Sequence, residues 1–387
     1  MADFFAWRFI LFAIIFAALL YVQFYLAHRQ WRKLKGRQSS EIDVGYVRME
    51  DYLAQSFRRK VKEWLKLPVT SSNDTGKTIL KGSETIRVTT RADFGAGEQC
   101  DDILIVEGDF ACGPMSVFGR EILVKGSAKV GPGSQLQSLA VEGNLTFDSD
   151  VKVARWLDAG RELTIGSNCL IGARVTSKNI IRLGAGAQAE SFFAPQVATL
   201  EWDGTFKADP ALQDAKLPEI TFTDDLTASE DSLKAAGFDL KKLIQLGPDS
   251  WLYKGDLRTA TAIRLKSKLV VKGDCEFSEG SIVDADVRAD GTLDIGPNSW
   301  CRGNLVGGRD INLGANSRFS GVIHADGSVQ MGRGTRGFKE DGLIVVYAGE
   351  ILRVERDVAI KGKLAAGGRV IVESVEAAQA RAATKRA

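Results

Sequence analysis

Asp284, Asp286 and Asp290 are the closest this chain comes to clustered carboxylates, the equipment a polysaccharide hydrolase or lyase would need across neighbouring turns of a repeat. All three are even-numbered residues beside apolar Val283 and Val287, which places them on the outer face of a strand as solvated acids, with weak cation binding as the other use. His324 is the one histidine outside the amino-terminal segment and so the one candidate for a histidine base, the group an acyltransferase would use. It follows apolar Ile323 directly, so its imidazole points outward too. No Ser-His-Asp set can be assembled around it.

Two glycine motifs invite a nucleotide. Gly332-Arg-Gly334-Thr-Arg-Gly337 spells GxGxxG, but no helical segment follows and no strand-helix-strand unit surrounds it. Gly76-Lys77-Thr78 matches the end of a P-loop while Ser71 stands where the first glycine belongs, which makes it an ordinary turn. The expectation is therefore no catalytic residue, no cofactor and no metal site.

Cysteines 100, 112, 169, 275 and 301 are odd in number, scattered and never spaced as CxxC, so neither a disulfide framework nor a zinc site is expected. Cys169, Cys275 and Cys301 fall within or beside repeats, where a thiol serves as a small hydrophobe. The net charge is only +2 from 51 basic and 49 acidic residues. No global field draws such a chain to nucleic acid, and its basic residues lack interleaved aromatics. Arg302, Arg318, Arg333 and Arg336, with Arg309, decorate one region, and solvation accounts for them as fully as recognition would.

The element that must carry all these residues is a repeat. From Ile295 the apolar positions step by 6, 4, 6 and 2 to Cys301, Leu305, Ile311 and Leu313, and the next row continues with Phe319, Ile323, Val329 and Met331. Phe277, Val283, Val287 and Leu293 precede them on the same template. The first half of the chain repeats it in Phe147, Val153, Leu157 and Leu163, then Ile165, Ile171, Val175 and Ile181. Every step is even, so all the columns face one interior if the local structure is strand. Glycine columns at 166 and 184, and at 296, 314 and 332, supply corners. The fold expected is all-β: a parallel three-sided β-helix of about 18 residues per turn, with an amino-terminal transmembrane helix.

The template divides the chain into a first β-helix block over 84–206 and a second over 262–373. Between them 207–261 reads as an acidic insertion or linker, with Thr227-Ala-Ser-Glu230 capping a short helix through Leu246. Row 330–347 breaks the template at Gly337 and Asp341, which marks a protruding loop or the approach of an end. Residues 374–387 read as a helical or disordered tail.

Phe9 to Ala27 carries no charge over about 19 residues, enough to cross a bilayer core, so 1–28 is expected to be a transmembrane anchor. Arg29, Arg32, Lys33, Lys35 and Arg37 follow it at once, which places the bulk of the chain in the cytoplasm below an inner membrane. Within the basic segment 29–83, Met49, Leu53, Phe57, Val61 and Leu65 recur every four residues up to Pro68. They form one face of a helix that either lies on anionic lipid or caps the next domain.

The rows VEGDF (106–110), VKGSAKVGPGSQ (124–135), VEGNLTF (141–147) and VKGDCEF (271–277), with later DIG and NLG turns, resemble the bactofilins. That resemblance implies a compact parallel β-helix that associates end to end into nucleotide-free filaments, often beneath the membrane, and scaffolds cell-shape and envelope-synthesis enzymes. It covers about two thirds of the chain. Two blocks, a large insertion and an anchor depart from the family's single β-helix with disordered tails. The function expected is a membrane-anchored cytoplasmic scaffold with membrane lipid, further copies and envelope-synthesis proteins as partners. A hexapeptide-repeat-like acyltransferase and a non-polymerising binding module are the alternatives.

Overall fold

The structure is a computed structural model that describes residues 50–73, 76–206, 217–222 and 230–386. It is a parallel β-solenoid of about 15 turns at ~18 residues per turn. Each turn lays down three short strands, as in Trp300–Cys301, Leu305–Gly307 and Ile311–Leu313, which we call sides one, two and three. Each strand pairs in parallel with its copy one turn on: Leu157 with Val175, Leu305 with Ile323, Ile311 with Val329.

The apolar columns face inward as their even steps require. Ile165, Ile171, Val175, Ile181, Leu305, Ile311 and Ile323 are all completely buried, within one core that extends from Ala92 to Val372. Cys169, Cys275 and Cys301 sit in that core as free thiols.

One corner of the coil has a signature that the apolar template does not show. Asp150, Asn168 and Gly186 in the first block, and Asn298, Asn316, Gly334 and Asp357 in the second, all have left-handed backbone. Glycine, asparagine and aspartate tolerate that region best. The buried residue that follows is Ser or Thr at several levels: Ser281, Ser317 and Thr335, which follow the left-handed Gly280, Asn316 and Gly334, donate their hydroxyls to the carbonyls of Ser278, Gly314 and Gly332, respectively. The buried hydroxyls at these three levels are thus satisfied.

The two blocks are not successive lengths of one coil. The last turn of the first is the continuous strand Gln188–Thr199, and the last turn of the second is Ala359–Val372. These two closing strands pair antiparallel on all three sides: Gln188 with Ile371, Phe192 with Leu364, Val197 with Ile360. The coils therefore meet tail to tail across a local two-fold, and their cores fuse.

The outer ends also match. A hairpin leads into side two of each coil, Gly76–Lys81 with Glu84–Thr89 in the first and Leu243–Gly247 with Ser250–Tyr253 in the second. Parallel pairing in the second coil begins with Glu219–Ile220 against Arg264–Leu265, inside the stretch 207–261 expected to be an insertion or linker. In that stretch the helix Glu230–Ala235 is shorter than expected, because Leu243–Gly247 is a strand that turns at Pro248-Asp249. Its cap, Thr227, lies outside the described residues. Leu233, Ala236 and Phe238 from this region plug the open end of the core.

Gly337 does not break the template. It occupies the side-one column beneath Phe319, and a Cβ there would come within 2.5 Å of the Phe319 ring. The irregularity follows it: Ile323 pairs with Val346 rather than with Asp341, so five extra residues enter at Phe338–Gly342.

The amphipathic helix α1 spans Tyr52–Trp64 and docks on the outer face of side two of the first coil. Its buried residues are Ala54, Phe57, Val61 and Trp64, while Leu65, expected on that face, is exposed. The helix ends at Trp64, whose ring packs edge-on to Phe57, which in turn meets Trp156 of the coil. Ile103, Ile105, Leu123 and Ala140 complete the contact. Of the two uses expected for this face, covering the coil is the one observed. Among the described residues no helix is long and apolar enough to cross a membrane, and the expected anchor, Phe9–Ala27, lies outside them.

Candidate functional site: a groove at the waist

The residues nominated from sequence are scattered by the fold, each into a local structural role. Asp284 bridges two turns by accepting from Arg264 Nε at 2.8 Å and Arg302 Nη1 at 2.9 Å. That bond raises the Arg264 guanidinium above its ordinary value. Asp286 accepts the backbone N–H of Asn304 one turn on, and Asn304 does the same for Val322. Asp290 accepts from Lys272 Nζ at 2.8 Å, which holds its carboxyl below the usual carboxylate range. The trio forms rungs between turns, and no group of three metal-ligating side chains occurs among the described residues.

His324 faces outward as expected, with its ring stacked on Tyr347 of the next turn at 5.2 Å and Nε2 lying 3.3 Å from Asp326. Gly76, Lys77 and Thr78 belong to a hairpin strand rather than to a loop before a helix. The GxGxxG motif is the coil's corner. Gly332 passes close to the Leu313 carbonyl, Gly334 has φ +76°, and Gly337 lies under Phe319. Burial pushes the Cys169 thiol up to about 11 and the Cys301 thiol to about 12, so both stay protonated at neutral pH.

A feature not nominated from sequence lies where the coils meet. Trp300, Arg318 and Arg336 occupy one outward column on side one, in register one turn apart. Against them stand Phe338, from the five-residue insertion, and Phe206, from the loop that leaves the first coil, with their rings stacked at 5.4 Å. Together with Lys339 they line a groove of about 450 Å³, with Glu340 and Asp341 at its lip.

The walls are fixed from behind. Arg302 lies 4.0 Å over the Trp300 ring while bonded to Asp284. Arg336 Nη2 reaches Asp357 Oδ1 at 2.6 Å. Lys361 Nζ donates to the Lys339 and Glu340 carbonyls, which pins the insertion. Aromatic planes beside paired charges offer stacking and hydrogen bonding, a chemistry of binding. The sequence signal was present: residues 300, 318 and 336 fall at the 18-residue period just before the inward column. Phe206 has no such mark, because only the tail-to-tail join brings it there.

No family model matches the chain, and no curated protein or solved structure matches it either.

Proposed function

We propose that this protein is a rigid scaffold of the bactofilin-like kind, anchored to a membrane by its amino-terminal segment and built to hold envelope-synthesis proteins in place. The observation that carries the reading is the strand-to-strand union of the coils at Gln188–Thr199 and Ala359–Val372, which makes one long body out of two short ones. At about 4.8 Å per turn, about 15 turns extend roughly 70 Å. A continuous dry core with bonded rungs between turns resists bending, which is what a spacer requires.

The union also dictates how copies would join. Both carboxy-terminal coil ends are occupied within the chain, so self-association runs through the outer ends. There the strands Ala92–Phe94, Gln99–Cys100 and Leu257–Arg258 pair on one edge only. Edges of that sort accept further strands.

Electron micrographs of the full chain in detergent test the proposal. Rods joined end to end, growing longer as concentration rises, are expected. Isolated rods at every concentration contradict self-assembly.

A further inference from the structure

Four of the thirteen exposed large apolar side chains among the described residues lie in one short region after α1: Leu65, Leu67, Val69 and Leu80. The fold draws them together. Thr70 donates its backbone N–H to Thr78, and its hydroxyl accepts the Leu80 N–H at 3.3 Å, so the chain reaches the hairpin that carries Leu80 at Thr70, while Leu65 and Leu67 close the end of the helix through N–H bonds to the Val61 and Trp64 carbonyls. Lys81 Nζ sits 4.8 Å over the Trp64 ring, tying the hairpin to the end of the helix.

The same surface is basic. Arg59, Lys60, Lys62, Lys66 and Lys81 are exposed, with Glu63 the one exposed acid within 59–69. On a chain whose net charge is only +2 this is a local concentration of cations. Apolar side chains in water, ringed by lysine and arginine, match the boundary of an anionic bilayer, where leucines enter the headgroup layer and cations meet lipid phosphates. Docking of α1 does not compete with this, since its own apolar face is already spent on the coil.

We propose that this patch is a membrane-contact surface for anionic lipid, formed by Leu65, Leu67, Val69 and Leu80 within the ring of Arg59, Lys60, Lys62, Lys66 and Lys81. It would lay the outer end of the first coil against the bilayer. It stands apart from the amino-terminal anchor and does not depend on it.

The test places an environment-sensitive fluorophore on the full chain at Leu67→Cys and adds vesicles of phosphatidylglycerol and phosphatidylcholine carrying a headgroup nitroxide quencher. Quenching at position 67 is expected with the mixed vesicles, and it should be much weaker on phosphatidylcholine alone or in high salt. The triple variant Lys60→Glu, Lys62→Glu, Lys66→Glu should need about 100-fold more lipid, taking each cation to contribute on the order of a tenfold factor or less. A fluorophore at Val322→Cys, on the second coil, serves as the remote control.

Position 67 staying unquenched on mixed vesicles, whether or not the chain is retained by them, overturns the proposal. So does quenching unchanged by the triple variant or equal at both positions. Retention of the chain without quenching at 67 would leave the anchor standing alone, so the two readings fail separately.

Discussion

The inner and outer ends of the two coils are built from the same turn yet treated in opposite ways. At the inner ends, Gln188–Thr199 and Ala359–Val372 bond along all three sides, and Phe192 and Val197 are buried in a shared core. At the outer ends a hairpin covers side two, and aromatics finish the stack: Phe94, Phe110 and Phe118 in the first coil, Phe222, Phe238 and Trp251 in the second. A solenoid end is an exposed edge, and it can be closed by another coil or by a cap. This chain joins its inner ends to each other and caps its outer ends only in part, over side two, so that Ala92–Phe94, Gln99–Cys100 and Leu257–Arg258 keep one strand partner each.

The largest effect should come from the inner ends. Phe192→Ala removes a fully buried ring at the join and should cost about 3 to 5 kcal/mol in urea unfolding. Ile311→Ala, in the middle of the second coil, should cost about 2 to 5 kcal/mol. Leu80→Ala, at the outer hairpin, should stay within about 0.5 kcal/mol of the parent, since its side chain is already in water. Equal losses at Phe192 and Leu80 would erase the contrast.

Next in size is the clamp on α1. Asp158 is buried in the outward column that continues Ile105, Leu123 and Ala140, bonded to Arg58 Nη2 and Thr176 Oγ1 at 2.5 Å each. Asp158→Ala leaves a half-buried guanidinium unpaired, a loss of about 3 kcal/mol. Hydrogen exchange over residues 54–64 should speed up while the coil's core amides stay protected. Protection of α1 unchanged by the variant would show that Phe57 and Trp64 suffice to hold it.

A smaller effect tests the corner. Gly334→Val forces a β-branched residue into left-handed backbone and should cost about 1 to 2 kcal/mol, whereas Gly334→Asn should recover most of that, since Asn298 and Asn316 fill the same place in neighbouring turns. Thermal midpoints of the two variants give the comparison.

The smallest effect is alkaline. Cys169 and Cys301 titrate higher folded than the 9.0 of a free thiol, so the stability linked to them is complete below pH 9 and is lost as pH rises through about 11 to 12. The double variant Cys169→Ala, Cys301→Ala should show a flatter stability profile above pH 9. An unchanged slope would assign alkaline unfolding to other groups.

Much of the coil was legible because its period and its even steps are written in the apolar residues: Ile295, Leu305 and Ile311 need no partner outside their own column to announce a side and a turn. The direction in which the second coil meets the first is not written there, since a tail-to-tail and a head-to-tail join use the same inward columns. Pro248-Asp249 after Gly247 was a turn signal that splits the helix expected through Leu246 into a helix and a strand. Leu65 continues the apolar period of α1 yet is exposed, because the helix stops at Trp64 and apolar period alone does not mark that end. The waist groove needed residues from distant rows, and Phe206 reaches it only through the join. Asp158 follows the inward Leu157, and nothing in that outward position marks it for burial until α1 covers it.

The join itself can be probed by a single bond. Phe193 and Lys363 lie opposite one another across the two closing strands, outward of the buried pair Phe192 and Leu364. In the double variant Phe193→Cys, Lys363→Cys, mild oxidation should yield an intramolecular disulfide in nearly every monomer, seen as a shift on non-reducing gels and a linked pair of peptides in mass spectrometry. Failure of these thiols to close within the monomer, or closure only between chains, would contradict coils that meet tail to tail.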